Sequence, residues 1–407
     1  MKKICAWLLV FLMIVSIGGC ADSGKATSES KNKENNTIKK VGTLPPELTS
    51  SLIDNHVLEL GTKTDAGYLV ADNKKPELVS CYQDNGKLVW QKKYIFGDIN
   101  SSYGLRIVSV PGGGFFVYAS AADYQKEDNG WYHVNPVLAR CDQDGNVLWK
   151  YEFKNVVDPV KKIWSLSNGD IITIGNARKF ETFSENLGGQ TDIYLSKFSS
   201  NGIRTAEKVY GGSDFDSIRN AEYIQGKGIA ALIGTQSKDG TFSASKDGYG
   251  NGVLALFDES LNLLWYKIDG SPLLDNPMIT LNNHIYLLKK SSKTTNSLIT
   301  KYDLAGKKIK TVELEDQNVQ FIPGSSKGIM LQGEKKVWRY NHNLNEITDE
   351  SFHAGRVGKI VEFQKYYLVL SVSNIETPSG VQRINRYRIV YSGYNYSHKL
   401  LWRDSFE

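Results

Sequence analysis

Three stretches of the chain, 123–135, 178–191 and 237–252, carry aromatic residues that a solvated loop does not need. They are Tyr124, Trp131 and Tyr132 in the first, Phe180 and Phe183 in the second, and Phe242 and Tyr249 in the third. Carboxylates are interleaved with them: Asp123, Glu127 and Asp128, then Glu181 and Glu185, then Asp239 and Asp247. Flat aromatic faces beside polar groups suit a protein or carbohydrate partner, because each ring buries a large area at small entropic cost. The same rings could instead pack beneath their own loops, as long surface loops often do. Both readings stand at this level. Two carboxylates flanking a glycosidic bond would make a hydrolase, but no spacing singles out a pair.

Other reactive residue types are arranged less tellingly. Gly19 to Lys25 nearly spells a phosphate-binding loop, yet Ala26 stands where a Ser or Thr would reach magnesium. Gly324-Ser325-Ser326-Lys327-Gly328 fits G-x-S-x-G, but a nucleophile elbow needs a strand-to-helix turn. Here the segment lies between two expected strands of one repeat. H-E-x-x-H, C-x-x-C and EF-hand patterns do not occur in the sequence. Asp214 and Asp216, beside Gly211-Gly212, fit either a calcium corner or a capped turn, with the turn the expected reading. Six His and four Cys offer little for a metal cluster, and neither metal nor cofactor is expected. The formal charge of +5 over 407 residues is too small for a nucleic-acid partner.

The elements that must position these residues are hairpins. Cys81-Tyr82-Gln83-Asp84-Asn85-Gly86 leads through Lys87-Leu88-Val89 to Trp90, and Cys141-Asp142-Gln143-Asp144-Gly145 leads through Asn146-Val147-Leu148 to Trp149. Each reads as a strand, an Asp/Asn/Gly turn and a second strand, and such turns between apolar runs are the strongest short-range hairpin signal. The unit recurs from Phe198, Phe257, Tyr302 and Tyr340, and finally from Tyr394 to Trp402. A second hairpin precedes each, with turns such as Asp65-Ala66-Gly67, Asn168-Gly169-Asp170 and Lys227-Gly228. Two hairpins make four strands per repeat, and Trp90 to Trp402 spans six intervals at a mean of about 52 residues. The expected fold is therefore all-β: a single β-propeller of seven four-stranded blades over 46–407, with six or eight blades left open. The repeat-phased Trp90, Trp149, Trp265 and Trp402 read as blade core. Cys81 and Cys141 occupy equivalent positions on adjacent blades, too far apart for a disulfide, and read as two separate buried thiols.

The outer hairpin, aromatic-Asp-x-x-Gly-x-x-x-Trp, resembles the PQQ-like repeat group and secreted bacterial propellers. The fourth repeat matches best, through Tyr210-Gly211-Gly212-Ser213 and the hairpin ending in Trp265. Repeats five and six depart by losing the Trp. The resemblance implies that connections between second and third strands share one face with the inter-blade links. The three aromatic-rich stretches, joined by 374–380 in the last blade, would then form a raised lip on one face, the candidate ligand face. Propellers host unrelated activities. The expectation is a non-enzymatic binding or scaffold module for a protein or envelope glycan. The alternative is a carbohydrate-active or quinone-dependent enzyme, although the acidic calcium-holding set of the latter is not identifiable.

The N-terminus reads as an export signal. Lys2 and Lys3 precede an apolar run from Ala6 to Ile17, too short for a bilayer that needs roughly 20 residues. Ile17-Gly18-Gly19-Cys20 resembles the lipobox of bacterial lipoproteins, which implies cleavage after residue 19 and acylation of Cys20. Two or more acyl chains anchor stably where one does not. Residues 20–45, rich in Ser, Lys, Asn and Glu, then read as a flexible polar tether. The expected location is the cell membrane, lipid-anchored and facing outside the cytoplasm. The tether composition points to a Gram-positive surface, while a lipid-anchored propeller in Gram-negative outer-membrane assembly gives an adaptor role precedent.

Overall fold

The computed structural model describes residues 62–406 except 66, 72–76, 84–85, 97–104, 111–112, 120–123, 127–131, 135, 154–158, 179–190, 244–250, 269–272, 292, 323–327, 334–336, 348–355, 363–365, 376–385 and 396–399. For 63, 124–126, 132–134, 178, 251, 273–276, 337 and the described part of 356–406 it describes the backbone alone. All the described strands fall within one of two compact units, Lys39–Glu407.

The described residues form strands and turns without a helix. Their strands build seven sheets, six of four strands and one of three, and one separate two-stranded hairpin. In chain order the sheets run over 62–93, 105–152, 162–210, 216–268, 273–314, 320–340 and 356–406. Within each, consecutive strands pair antiparallel, so every sheet is an up-and-down meander. The extra hairpin, Tyr124–Lys126 with Tyr132–Val134, is inserted between the second and third strands of sheet two. The sheets pack in sequence through their innermost strands: Leu105–Ser109 on sheet one, Asp216–Ile224 on sheet three, and Leu273–Leu281 on sheet four. This is a β-propeller.

Sheet six departs from the expected four strands. Among the described residues it has three strands, and after Val337–Tyr340 the chain returns through a bridge between Tyr340 and Glu346 and a bond from Ile347 N–H to Arg339 O at 2.7 Å. Gly324 to Lys327, the G-x-S-x segment, lie outside the described residues; the strands on either side, Gln320–Phe321 and Ile329–Gln332, pair antiparallel.

The inner strands are buried on both faces because alternate side chains serve two different seams. In Thr191–Phe198, Ile193 and Leu195 join the cluster against sheet four, with Ile218, Ile233 and Val253. Tyr194 and Phe198 point the other way, into a cluster with Phe116, Leu138 and Phe153 of sheet two. The core is thus a series of layers between sheets. Outer strands alternate instead: Leu88–Lys93 and Val147–Glu152 both run exposed-exposed-half-buried-exposed-half-buried-exposed.

In Leu88–Lys93 and Val147–Glu152 the first half-buried position is the tryptophan, and Trp90, Trp149 and Trp265 pack against the core clusters, as expected of blade-core residues. They lie in the seams between blades. Trp90 Nε1 donates to Gln143 O at 3.3 Å, Trp149 Nε1 to Ser200 O at 2.8 Å, and Trp265 Nε1 to Leu304 O at 2.8 Å. Each acceptor belongs to the outer turn of the following sheet. In sheet three Ala206 stands at the Trp position, and Tyr210, four residues on, makes the link instead, its hydroxyl donating to Leu261 O at 2.8 Å. In sheet five Lys310 takes over, its Nζ donating to Leu344 O at 2.8 Å. The turns that receive these latches are fixed locally: Asp142 Oδ1 accepts from Asn146 N–H at 2.7 Å, and Asp303 Oδ1 from Lys307 N–H at 2.7 Å. Asp-x-x-Gly shapes the turn and Trp clamps it from the preceding blade. Trp402 lies in Leu400–Phe406, where the side chain is outside the described residues.

Cys81 and Cys141 are not joined in a disulfide and are buried, as expected, in the cluster between sheets one and two. Burial pushes the Cys141 thiol up to about 11, which leaves it protonated and inert at neutral pH.

Candidate functional site

The three long connections leave from corresponding edges of adjacent sheets. The ladder between second and third strands closes at Ala119–Val137 in sheet two, Arg178–Thr191 in sheet three and Thr235–Asn251 in sheet four. Of the aromatic residues expected on this face, Tyr124 and Tyr132 sit in the inserted hairpin, on strands Tyr124–Lys126 and Tyr132–Val134. Trp131, Phe180, Phe183 and Tyr249 lie outside the described residues, as does Cys20. Phe242 is a correction. It is fully buried, packed with Ile218, Ile233 and Val253 and edge-on to Tyr266 at 5.5 Å. The chain after Thr235 turns back beneath the edge, where Thr241 N–H donates to Gly211 O at 2.8 Å, and this delivers the ring to the core. Phe242 holds its loop down and presents nothing to a ligand.

Beneath that edge, at the seam of sheets three and four, lies a compact polar floor. The inter-blade link 211–215 is stitched to the 236–243 segment at two further points. Ser213 N–H donates to Asp239 Oδ1 at 2.7 Å, and Asp214 N–H to Ser237 Oγ at 3.0 Å. Asp216 organises the group: its Oδ2 accepts from Gly212 N–H at 2.8 Å and from Ser237 Oγ–H at 2.7 Å. Across the seam, Ile218 N–H donates to Asn176 Oδ1 at 2.9 Å, and Thr191 bridges Phe215. The capped-turn reading of Asp214 and Asp216 is therefore observed, with Phe215 N–H donating to Asp214 Oδ1 at 2.8 Å.

Asp192 was not among the expected residues. It is the second residue of Thr191–Phe198 and only 4% exposed, while Asp216 is 0% exposed. Both carboxylates crowd the bare side of Gly211. A Cβ there would overlap Asp192 Oδ1 and lie 2.9 Å from Asp216 Oδ2. Asp192 Oδ1 and Asp216 Oδ1 have no hydrogen-bond partner among the described residues. Burial, then the charge of Asp216, pushes the Asp192 carboxyl up to about 7. Burial also raises Asp216, against the hydrogen bonds from Thr235, Ser237 and Gly212 that favour its charged form. A signal for Asp192 existed in the sequence: an acid inside Thr191-Asp192-Ile193-Tyr194-Leu195, where the pattern demands a buried side chain. Among the described residues no group of three or more His, Cys, Asp or Glu is placed to hold a metal.

No family model and no curated protein matches the chain. Among solved structures it is similar to the WD40 domain of Neurospora crassa Pan2, at 10% identity over 76% of this chain and 84% of that one, TM-score 0.44. It is also similar to the β-propeller domain of the Trilobed protease from Pyrococcus furiosus, at 12% identity over 74% and 92%, TM-score 0.40. A protein of unknown function from Bacteroides caccae aligns at 7% identity over 72% of this chain and 94% of that one, TM-score 0.34. These are likenesses of fold alone.

Proposed function

We propose that this protein is a lipid-anchored extracytoplasmic lipoprotein, and that its propeller is a non-enzymatic binding module presenting the loop edge of sheets two to four to an envelope protein or glycan. One observation carries the reading. Three consecutive blades each insert a long connection on the same edge, above a floor in which the inter-blade link and loop 236–243 are bonded together. Binding residues are commonly carried on such loops over a rigid scaffold. Trp131, Phe180, Phe183 and Tyr249 are the aromatic anchors we assign to it, with Tyr124 and Tyr132 on the inserted hairpin. The anchor is Cys20, behind Ile17-Gly18-Gly19, with residues 21–45 as the tether. A flexible coil of about 25 residues spans roughly 25–30 Å root-mean-square, enough to lift a globular body off a lipid surface.

Cys20→Ala tests the address. The wild-type protein is expected in the membrane fraction, and the variant is expected to lose that association while keeping its β-rich circular dichroism. A variant that still fractionates with membranes removes the acyl anchor from the account.

A further inference from the structure

We propose that the groove between sheets five and six binds an alkylammonium ligand, the methylene chain and terminal ammonium that a polyamine and a lysine side chain share. The proposal goes beyond the binding role above, because the groove belongs to sheets that take no part in the loop edge of sheets two to four. Its volume is about 490 Å³, within the usual span of ligand pockets, roughly 300–1,000 Å³. The walls are the outer strand of sheet five, Lys308–Leu314, with Glu315 beyond it, the third strand of sheet six, Val337–Tyr340, and the segment 344–346 that follows. Every residue that lines it is among those described.

The groove opens where an indole is missing. Lys310 stands in register opposite Lys301, as Trp265 stands opposite Leu256 and Trp149 opposite Arg140. In those two seams the ring covers the turn of the next sheet, Trp149 over Gly202 and Trp265 over Gly306. Lys310 replaces the ring with a slim stem, and its ammonium is drawn to the turn of sheet six. Its Nζ donates to Leu344 O at 2.8 Å, Asn345 Oδ1 at 3.0 Å and Asn343 O at 3.3 Å. A lysine has three N–H donors, so these bonds leave none to hold an anion. The floor is aromatic: Trp338 and Tyr340 are each 3% exposed, and Val312 lies half-buried beside them.

Charge selects the ligand. Glu313, Glu315 and Glu346 line the groove against the one lysine, a net charge of −2, and all three glutamates are exposed at its rim. Thr294 and Asn296 donate to Glu313 Oε1 at 2.8 and 2.9 Å, which favours its charged form. Burial, then the charge of Glu346, pushes the Tyr340 hydroxyl up to about 12, so a carboxylate stands at the aromatic floor. The acids do not converge on a metal: among the described residues no group of three or more His, Cys, Asp or Glu is placed to hold one. Dispersed carboxylates over an apolar floor suit an elongated cation, whose methylenes lie on the rings while its ammonium groups meet the rim. Exposed ion pairs are individually weak, so contact with the floor is what favours a chain over a bare ion.

The test is calorimetric titration of the detergent-solubilised protein at low salt with spermidine and, separately, with a trilysine peptide amide. Wild type is expected to bind at least one of them at a single site, with a dissociation constant of about 10⁻⁴ M. Tighter binding of the peptide assigns the ammonium to a protein partner, and tighter binding of spermidine to a free polyamine; either result supports the site. Lys310→Trp restores the indole of the other seams and is expected to weaken binding at least about tenfold by filling the groove, although it removes a positive charge. The double variant Glu315→Gln with Glu346→Gln is expected to weaken binding about fivefold. No binding of either probe up to about 10 mM, or unchanged binding by either variant, overturns the proposal. A triglutamate peptide that binds as tightly as trilysine overturns the choice of a cation. Should Lys310→Trp fail to fold, the double variant, altered only at exposed side chains, decides: unchanged binding refutes the site.

Discussion

Trp149→Ala is expected to lower the unfolding free energy by about 3 kcal/mol, the low end of the range for truncating a large core aromatic. The low end applies because the ring is half-buried. The effect has two parts that a second variant separates. The indole lies over the turn of the next blade, so close that a Cβ on Gly202 would come within 2.5 Å of its Cδ2. It also packs against Phe116 at 6.0 Å between ring centres. Its Nε1–H donates to Ser200 O at 2.8 Å. Trp149→Phe keeps most of the packing and deletes the donor, so a loss of about 1 kcal/mol is expected. Urea denaturation should show both shifts in midpoint with an unchanged slope. A Trp149→Ala protein as stable as wild type would mean that the seams do not depend on these latches.

Gly211→Ala is expected to cost about 2 kcal/mol, by overpacking rather than by backbone strain. The added methyl overlaps Asp192 Oδ1 and lies 2.9 Å from Asp216 Oδ2, and both carboxylates are buried with little room to retreat. Gly226→Ala provides the contrast. Its φ is +67°, yet nothing lies within 4 Å of the position a Cβ would take. Only the left-handed backbone penalises alanine there, by about 1 kcal/mol. Thermal denaturation of the two variants should rank Gly211→Ala as the more damaging. The reverse order would show that the carboxylate floor is loose enough to absorb a methyl group.

The blades were readable from sequence because their signals are local. Asp142 and Asn146 that shape a turn lie four residues apart, and the alternation of Val147–Glu152 is visible in the strand itself. What could not be read is what crosses a seam. Trp149 packs on the core as its phase in the repeat implies, but that phase does not say which blade it bonds to. Its partner, Ser200, is 51 residues on. Phe242 was placed on the ligand face because it falls in a long connection, and nothing local says that Thr241 bonds back to Gly211 and turns the ring inward. Asp192 was passed over because a lone acid in a strand carries no motif. Its meaning comes from Asp216 on the next blade and from the missing side chain of Gly211. The loss of Trp in repeats five and six was noticed in the sequence, but not that Lys310 replaces it as the latch in sheet five.

The central claim is that the loop edge of sheets two to four is the working face. The measurement that tests it most directly is capture from solubilised envelope proteins and cell-wall glycans by the purified wild-type protein, beside Trp131→Ala and Phe183→Ala. The account predicts one protein or glycan retained by wild type and lost from both variants, each of which remains folded. Equal retention by the variants, or no ligand retained by wild type, would contradict it and make the long connections part of the scaffold.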